Sequence, residues 1–257
     1  MNQIQKGDHV FICGSTGTGK SFLAKLYTSK LKDVYVLDNK GTFTFTPFLH
    51  SDKVKIYTDF KDLQKHKDDD ITHVIYRPNI YENNSEFYEQ FLEMCYNKGN
   101  CNVLIDEAMA ICTSSNIPFW YKSLLTKGRE LKISVWSCSQ RPAQLSNFVL
   151  TESKHWFIFR LNAVNDRKKI VDCSGNDSFA IKITGHYFLY KNMDTLRKPT
   201  KSIIKFKRSW NIMSGLVNVG KNWVIIGIAA ITFIVVAKII VNKYPAPDQV
   251  KDIVNAV

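Results

Sequence analysis

Gly14, Gly19, Lys20 and Ser21 stand in the order G-x-x-x-x-G-K-S within the stretch GSTGTGKS. Those residue types at that spacing suit a polyphosphate. The glycines let consecutive backbone N–H groups converge on phosphate oxygens, and a helix starting at the lysine adds its partial positive charge. Lys20 can reach the β and γ phosphates while Ser21 offers a hydroxyl to Mg²⁺. The whole loop, Gly14, Ser15, Thr16, Gly17, Thr18, Gly19, Lys20 and Ser21, is therefore a candidate ATP cradle. A strand-like run, VFIC, leads into it, which is the context this loop requires.

Hydrolysis needs carboxylates as well as a cradle. The stretch CNVLIDEA is an apolar strand ending in Asp106 and Glu107. Asp106 can hold Mg²⁺ through a water, and Glu107 can orient and deprotonate an attacking water. The plainer reading is a strand that ends at an ordinary acidic helix cap. Two adjacent carboxylates point to hydrolysis rather than transfer to a substrate hydroxyl, and no arginine-rich lid of the kinase kind is found in the sequence.

A third stretch, KGRELKISVWSCSQRP, holds one more strand, which ends at Gln140. An amide there would stand beside the γ-phosphate and could sense its loss. Arg129 lies on the loop before that strand, where it could reach the nucleotide of a neighbouring subunit. It also has a bland explanation, as a helix C-terminal arginine favoured by the macrodipole.

The elements that must position these residues alternate. Short runs rich in β-branched and aromatic residues, His9 to Cys13, Val34 to Leu37, Val54 to Tyr57, His73 to Tyr76, Asn102 to Ile105, Ile133 to Ser137 and Trp156 to Phe159, read as buried strands. Lys20 to Lys32, Ser85 to Asn97, Phe119 to Arg129 and Ala163 to Cys173 read as helices. The pattern predicts an α/β, doubly wound, mainly parallel sheet of the P-loop NTPase type. A hairpin-like piece, HYFLYKNM and SIIKFK, follows.

The chain has 257 residues, enough for one main core, and a net charge of +12 that calls for an anionic partner, nucleic acid or a phospholipid surface. Its six cysteines form no C-x-x-C pair and several lie in apolar runs, as reduced core thiols do. The polar start MNQIQKGD is no secretion signal. From Trp223 to Val241 the chain reads WVIIGIAAITFIVVAKIIV, long enough to cross a hydrocarbon core, with a buried core helix as the alternative. Seven Lys/Arg against one acid between Lys191 and Arg208 place the large domain on the cytoplasmic side of that span. The expected organisation is thus an ATPase domain over residues 1–190, a basic juxtamembrane segment 191–222, a transmembrane helix 223–241 and a short tail 242–257. The basic run from Arg197 to Arg208 could touch DNA or anionic headgroups, and its place beside the span favours the headgroups.

Taken together, GSTGTGKS, VLDNKGTF, VIYRPN, VLIDEA and GRELKISVWSCSQRP resemble the FtsK/HerA superfamily of ring-forming DNA-pumping ATPases, and within it the genome-packaging ATPases of membrane-containing viruses and phages. The resemblance runs from residue 8 to about residue 175. It implies a RecA-like fold, ATP and Mg²⁺ as ligands, Lys20 and Ser21 at the phosphates and metal, and Asp106 as metal-side acid. It also implies Glu107 as catalytic base, Gln140 as sensor and Arg129 as a finger supplied in trans. Asp38 and Lys40 match a recurring turn after the second strand, near the ligand crevice at the carboxyl edge. A ring of like subunits would pass DNA, duplex or single-stranded, through a channel lined by cations such as Lys122, Lys127 and Lys132, with capsid or vertex proteins as further partners. Such a ring would sit on a host inner membrane or a membrane inside the virion. Two other readings keep the same loop: a Zot-like filamentous-phage extrusion ATPase with one span, and a membrane-tethered nucleotide switch.

Overall fold

A computed structural model describes residues 4–67, 70–208 and 235–240, with side chains through residue 204. In chain order the elements are β1 (Val10–Cys13), α1 (Lys20–Thr28), β2 (Val34–Leu37), β3 (Val54–Tyr57), α2 (Phe60–Gln64), β4 (His73–Tyr76), α3 (Ser85–Lys98), β5 (Asn102–Ile105), α4 (Phe119–Lys127), β6 (Ser134–Ser139), α5 (Asn147–Thr151), β7 (His155–Phe159), α6 (Val164–Ser174), β8 (Tyr187–Asn192), β9 (Thr200–Arg208) and β10 (Val235–Ile240). They form one sheet in the order β10-β9-β8-β7-β1-β6-β5-β2-β4-β3. The seven strands from β7 to β3 are parallel, and β8, β9 and β10 continue the sheet antiparallel.

The strands are short and almost wholly apolar because both faces are covered. Alternate residues feed two cores. Phe11, Cys13, Leu37, Val103, Ile105 and Trp156 pack toward one face, under α3 and α4. Val10, Ile12, Val36, Leu104, Trp136 and Phe157 pack toward the other, against Leu23 and Leu26 of α1. The doubly wound architecture expected from the alternation is thus realised.

Boundaries moved where capping decided them. α1 stops a turn earlier than the apolar pattern suggests, since Thr28 turns its hydroxyl back onto the Ala24 carbonyl and Asp33 follows in the left-handed region, at φ 53°. α2 and α5 were not expected. Each has five residues, too few for a helical period to show, and each is started by a side-chain cap, Asp59 and Ser146. α4 borrows its cap from a neighbour: the Glu89 carboxylate of α3 accepts the N–H groups of Phe119 and Trp120 at 2.6 and 2.9 Å.

The expected hairpin after Gly185 belongs to the sheet, β8 pairing with β7 and β9 with β8. The expected transmembrane helix 223–241 falls largely outside the described residues. Its one described part, Val235–Ile240, is extended and pairs antiparallel with β9, so the helix is corrected to a strand over those six residues. A run of β-branched residues supports either conformation, and pairing decides between them. Among the described residues no helix is long and apolar enough to cross a membrane.

Candidate active site

The site is built at the carboxyl edge of the parallel strands, where the loops after β1, β2, β5 and β6 meet. Strand order does most of the positioning. β6 lies between β1 and β5, so Gln140, the residue after β6, emerges between the phosphate loop and the acidic pair.

The loop itself is preformed. Gly17 and Gly19 adopt φ values of 76° and 103°, which residues with a Cβ resist. At Gly14 a side chain would fall 2.5 Å from the Phe159 Cβ, because β7 closes directly on the loop. Ser15 and Thr18 brace it from within: the Ser15 N–H donates to the Arg160 carbonyl at 2.9 Å, and the Thr18 hydroxyl to the Ser15 carbonyl at 2.8 Å. Lys20 opens α1 and is buried against the loop.

Beyond the loop lie the oxygens. The Ser21 hydroxyl donates to Asp106 Oδ1 at 3.3 Å, which joins the two expected metal-side groups across β1 and β5. Glu107 is 4% exposed and both of its oxygens are engaged. Oε1 accepts the Gln140 backbone N–H at 3.0 Å, and Oε2 accepts Lys40 Nζ at 2.5 Å. The Gln140 side chain reaches the other way, its Oε1 accepting the Thr16 hydroxyl at 2.9 Å. One residue therefore touches the phosphate loop and the carboxylate expected to act as base.

The DNKG turn, whose part the sequence leaves open, acquires a physical account. Asp38 is fully buried and accepts the N–H groups of Thr42 and Phe43 at 3.2 and 2.9 Å, together with Arg77 Nε at 2.9 Å. Arg77, from the VIYRPN stretch, also donates to the Phe43 carbonyl at 2.8 Å. This clamp fixes the loop after β2 and so delivers Lys40 to Glu107. Arg141 and Pro142 are structural in the same sense. Arg141 Nε donates to Asp166 of α6 at 3.0 Å, and the Ala143 N–H reaches the same carboxylate.

Arg129 is the one expected site residue that the chain does not bring to this edge. It is exposed in the turn between α4 and β6, with its backbone against Gly7 at the amino edge of the sheet. The six residues of β6, at roughly 3.3 Å each, hold that turn about 20 Å from Gln140. Lys122, Lys127 and Lys132 are exposed around the same turn.

Burial pushes the Cys13 and Cys138 thiols up, and five of the six cysteines are buried, in keeping with the expectation of core thiols. Burial lowers the Lys25 ammonium, one helical turn past Ser21, against the opposing pull of Asp106 and Asp38. The sequence reading passed over two residues of the β8–β9 hairpin. His186 Nδ1 lies 3.2 Å from the Thr18 carbonyl, and Ile204 packs where a Gly19 side chain would be. Only pairing of β8 onto β7 brings them there, and no local motif signals it.

Comparison with known proteins agrees with this geometry. Residues 4–133 match the model of a family described as an AAA domain. The DNA packaging ATPase P9 of Enterobacteria phage PRD1 is 30% identical over 165 residues, which span 63% of this chain and 67% of that one. In fold the chain is similar to the genome packaging NTPase B204 of Sulfolobus turreted icosahedral virus 2 bound to AMPPCP, with a TM-score of 0.61, 16% identity, and coverage of 78% of this chain and 98% of that one. It is also similar to the pCW3 conjugation coupling protein TcpA, with a TM-score of 0.50, 13% identity, and coverage of 76% and 59%. The loop, the acids behind it and these relatives make this chain a member of the AAA-domain P-loop ATPases and a homologue of a phage DNA packaging ATPase.

Proposed function

We propose that this ATPase is a DNA translocase that works as a ring of identical subunits and packages a viral genome. The observation that carries the ring is the place of Arg129. A cation at the amino edge cannot serve its own phosphate loop about 20 Å away across β6, but it can enter the open carboxyl edge of the next copy. The packaging role rests on the kinship with the phage protein.

Within one site the residues divide the work. The backbone of the loop from Gly14 to Gly19 holds the β and γ phosphates, with Lys20 neutralising their charge. Ser21 and Asp106 already place a hydroxyl and a carboxylate oxygen 3.3 Å apart at the start of α1, a hard-oxygen pair that fits Mg²⁺. The metal, when bound, draws charge from the phosphate oxygens. Glu107 accepts a proton from the attacking water once Lys40 releases Oε2. Gln140, attached to both Thr16 and Glu107, senses whether the γ-phosphate is present and moves β6 accordingly. Lys122, Lys127 and Lys132, near Arg129, face DNA in the channel and grip phosphates without reading bases.

The test is steady-state ATP hydrolysis by the full chain in detergent, with duplex DNA, single-stranded DNA or neither, using Lys20→Ala as the blank. A motor is stimulated by one form of DNA, and the stimulation disappears in the blank. Turnover indifferent to both forms would shift the reading to extrusion or assembly at the membrane.

A further inference from the structure

The phosphate loop has two flanks, and only one has a task so far. On the β6–β5 flank stand Gln140, Asp106 and Glu107, which marks the γ end of a bound nucleotide. A triphosphate is a linear chain. With its γ end directed there, the α-phosphate and nucleoside leave the loop on the other flank, toward β7, β8 and β9.

That flank is closed by the hairpin. A Cβ on Gly19 would meet Ile204 Cδ1 at 3.1 Å, Phe159 Cε1 at 3.5 Å and His186 Nδ1 at 3.8 Å. His186 Nδ1 reaches the Thr18 carbonyl at 3.2 Å, and the Ile204 N–H donates to the His186 carbonyl at 3.1 Å. The pair is therefore fixed to the loop by one hydrogen bond and to itself by another. Ile204, at 1% exposure, fills the space behind Gly19 and backs the loop, so the surface this flank presents is the flat, partly exposed heteroaromatic ring of His186. A purine has the matching surface, two apolar faces and a polar edge. Neither residue takes part in the phosphate, metal or proton chemistry above.

We infer that the His186 ring, held in place by Ile204 behind it, forms the nucleoside seat of this ATPase, with the β8–β9 hairpin rather than the phosphate loop deciding which base is accepted. The inference rests on the ATP-binding reading of the loop and is independent of DNA. Two probes separate its terms: ATP, and inorganic tripolyphosphate, which has the charge but no nucleoside. Both are titrated calorimetrically into the full chain in detergent. His186→Ala should weaken ATP about tenfold or more and leave tripolyphosphate within about twofold, while reducing any preference for ATP over GTP. His186→Gln keeps a donor for the Thr18 carbonyl. If the ring only braced the loop, this variant would restore both probes; for a seat, tripolyphosphate binds normally and ATP stays weak. The inference is overturned if the two probes change in parallel, or if neither changes. Failure of the wild type to bind tripolyphosphate would instead strike at the phosphate loop itself, and the seat would fall with it.

Discussion

Glu107→Gln separates chemistry from support, because the structure gives the carboxylate one bond of each kind. The amide oxygen of the variant can still accept the Gln140 N–H, now at 3.0 Å, so the position of the side chain survives. The second contact cannot survive, since a neutral amide replaces the oxygen that Lys40 approaches at 2.5 Å. Removing one partner from a fully buried pair costs about 3–5 kcal/mol. The Lys40 side chain is 35% exposed, however, and water reaches it, so about 1–2 kcal/mol is expected. In a domain of this size that lowers Tm by about 2–8 °C. Losing a general base is a larger effect, about 10²- to 10⁴-fold in kcat. Lys40→Met breaks the same pair from the other side and provides the control: a Tm loss at least as large, since the stranded partner is now the buried carboxylate, with kcat at least about tenfold above that of Glu107→Gln. Hydrolysis is followed by phosphate release, binding by calorimetry, and ATP affinity should hold in both variants. The reasoning is refuted if Glu107→Gln retains kcat within tenfold of the parent, or if Lys40→Met falls as far.

Three other outcomes follow from the same contacts. Arg129→Ala should lower kcat by about 10³-fold, and mixing it with Glu107→Gln should recover activity from sites that combine an intact base with an intact arginine; no recovery rules out supply in trans. Asp38→Ala strands Arg77 and two backbone N–H groups, and should cost about 3 kcal/mol or more in urea unfolding, where a change under 1 kcal/mol would show the clamp to be dispensable. Burial, with the Arg129 charge adding to it, lowers His9 to about 4, and its Nδ1 accepts the Val135 N–H at 3.1 Å. The folded state prefers the neutral ring, so its stability is intact above pH 6.5 and declines by about 3 kcal/mol as pH falls to 4, a loss that His9→Gln should reduce in acid titrations.

How legible this was in advance depended on the distance over which each feature is decided. The phosphate loop, the acidic pair and the strand ending at Gln140 are local, since a glycine spacing or an apolar run that ends in a charge carries its own reason. Asp38 and Lys40 could be marked as a turn, yet their purpose needed Arg77 and Glu107, which are 39 and 67 residues away in the chain. His186 and Ile204 give no signal at all before β8 is placed on β7. The five-residue helices α2 and α5 were invisible to periodicity for want of length. Val235–Ile240 shows the reverse error, where hydrophobicity was read correctly and conformation was not.

Arg129 and Gln140 lie just beyond opposite ends of β6, and that strand is hydrogen-bonded along both sides, to β1 and to β5. It cannot slide past either neighbour without breaking a ladder, so a displacement at its Gln140 end moves β1, β6 and β5 together, and β6 behaves as a stiff rod within that unit rather than as a string. In the proposed ring, one end of each rod is tied to a subunit's own nucleotide and the other carries the charge that completes the next subunit's site. Loss of a γ-phosphate at one station is then felt as a displacement at the following one. The order of firing around the circle would be written into a single strand of six residues, with no separate relay required.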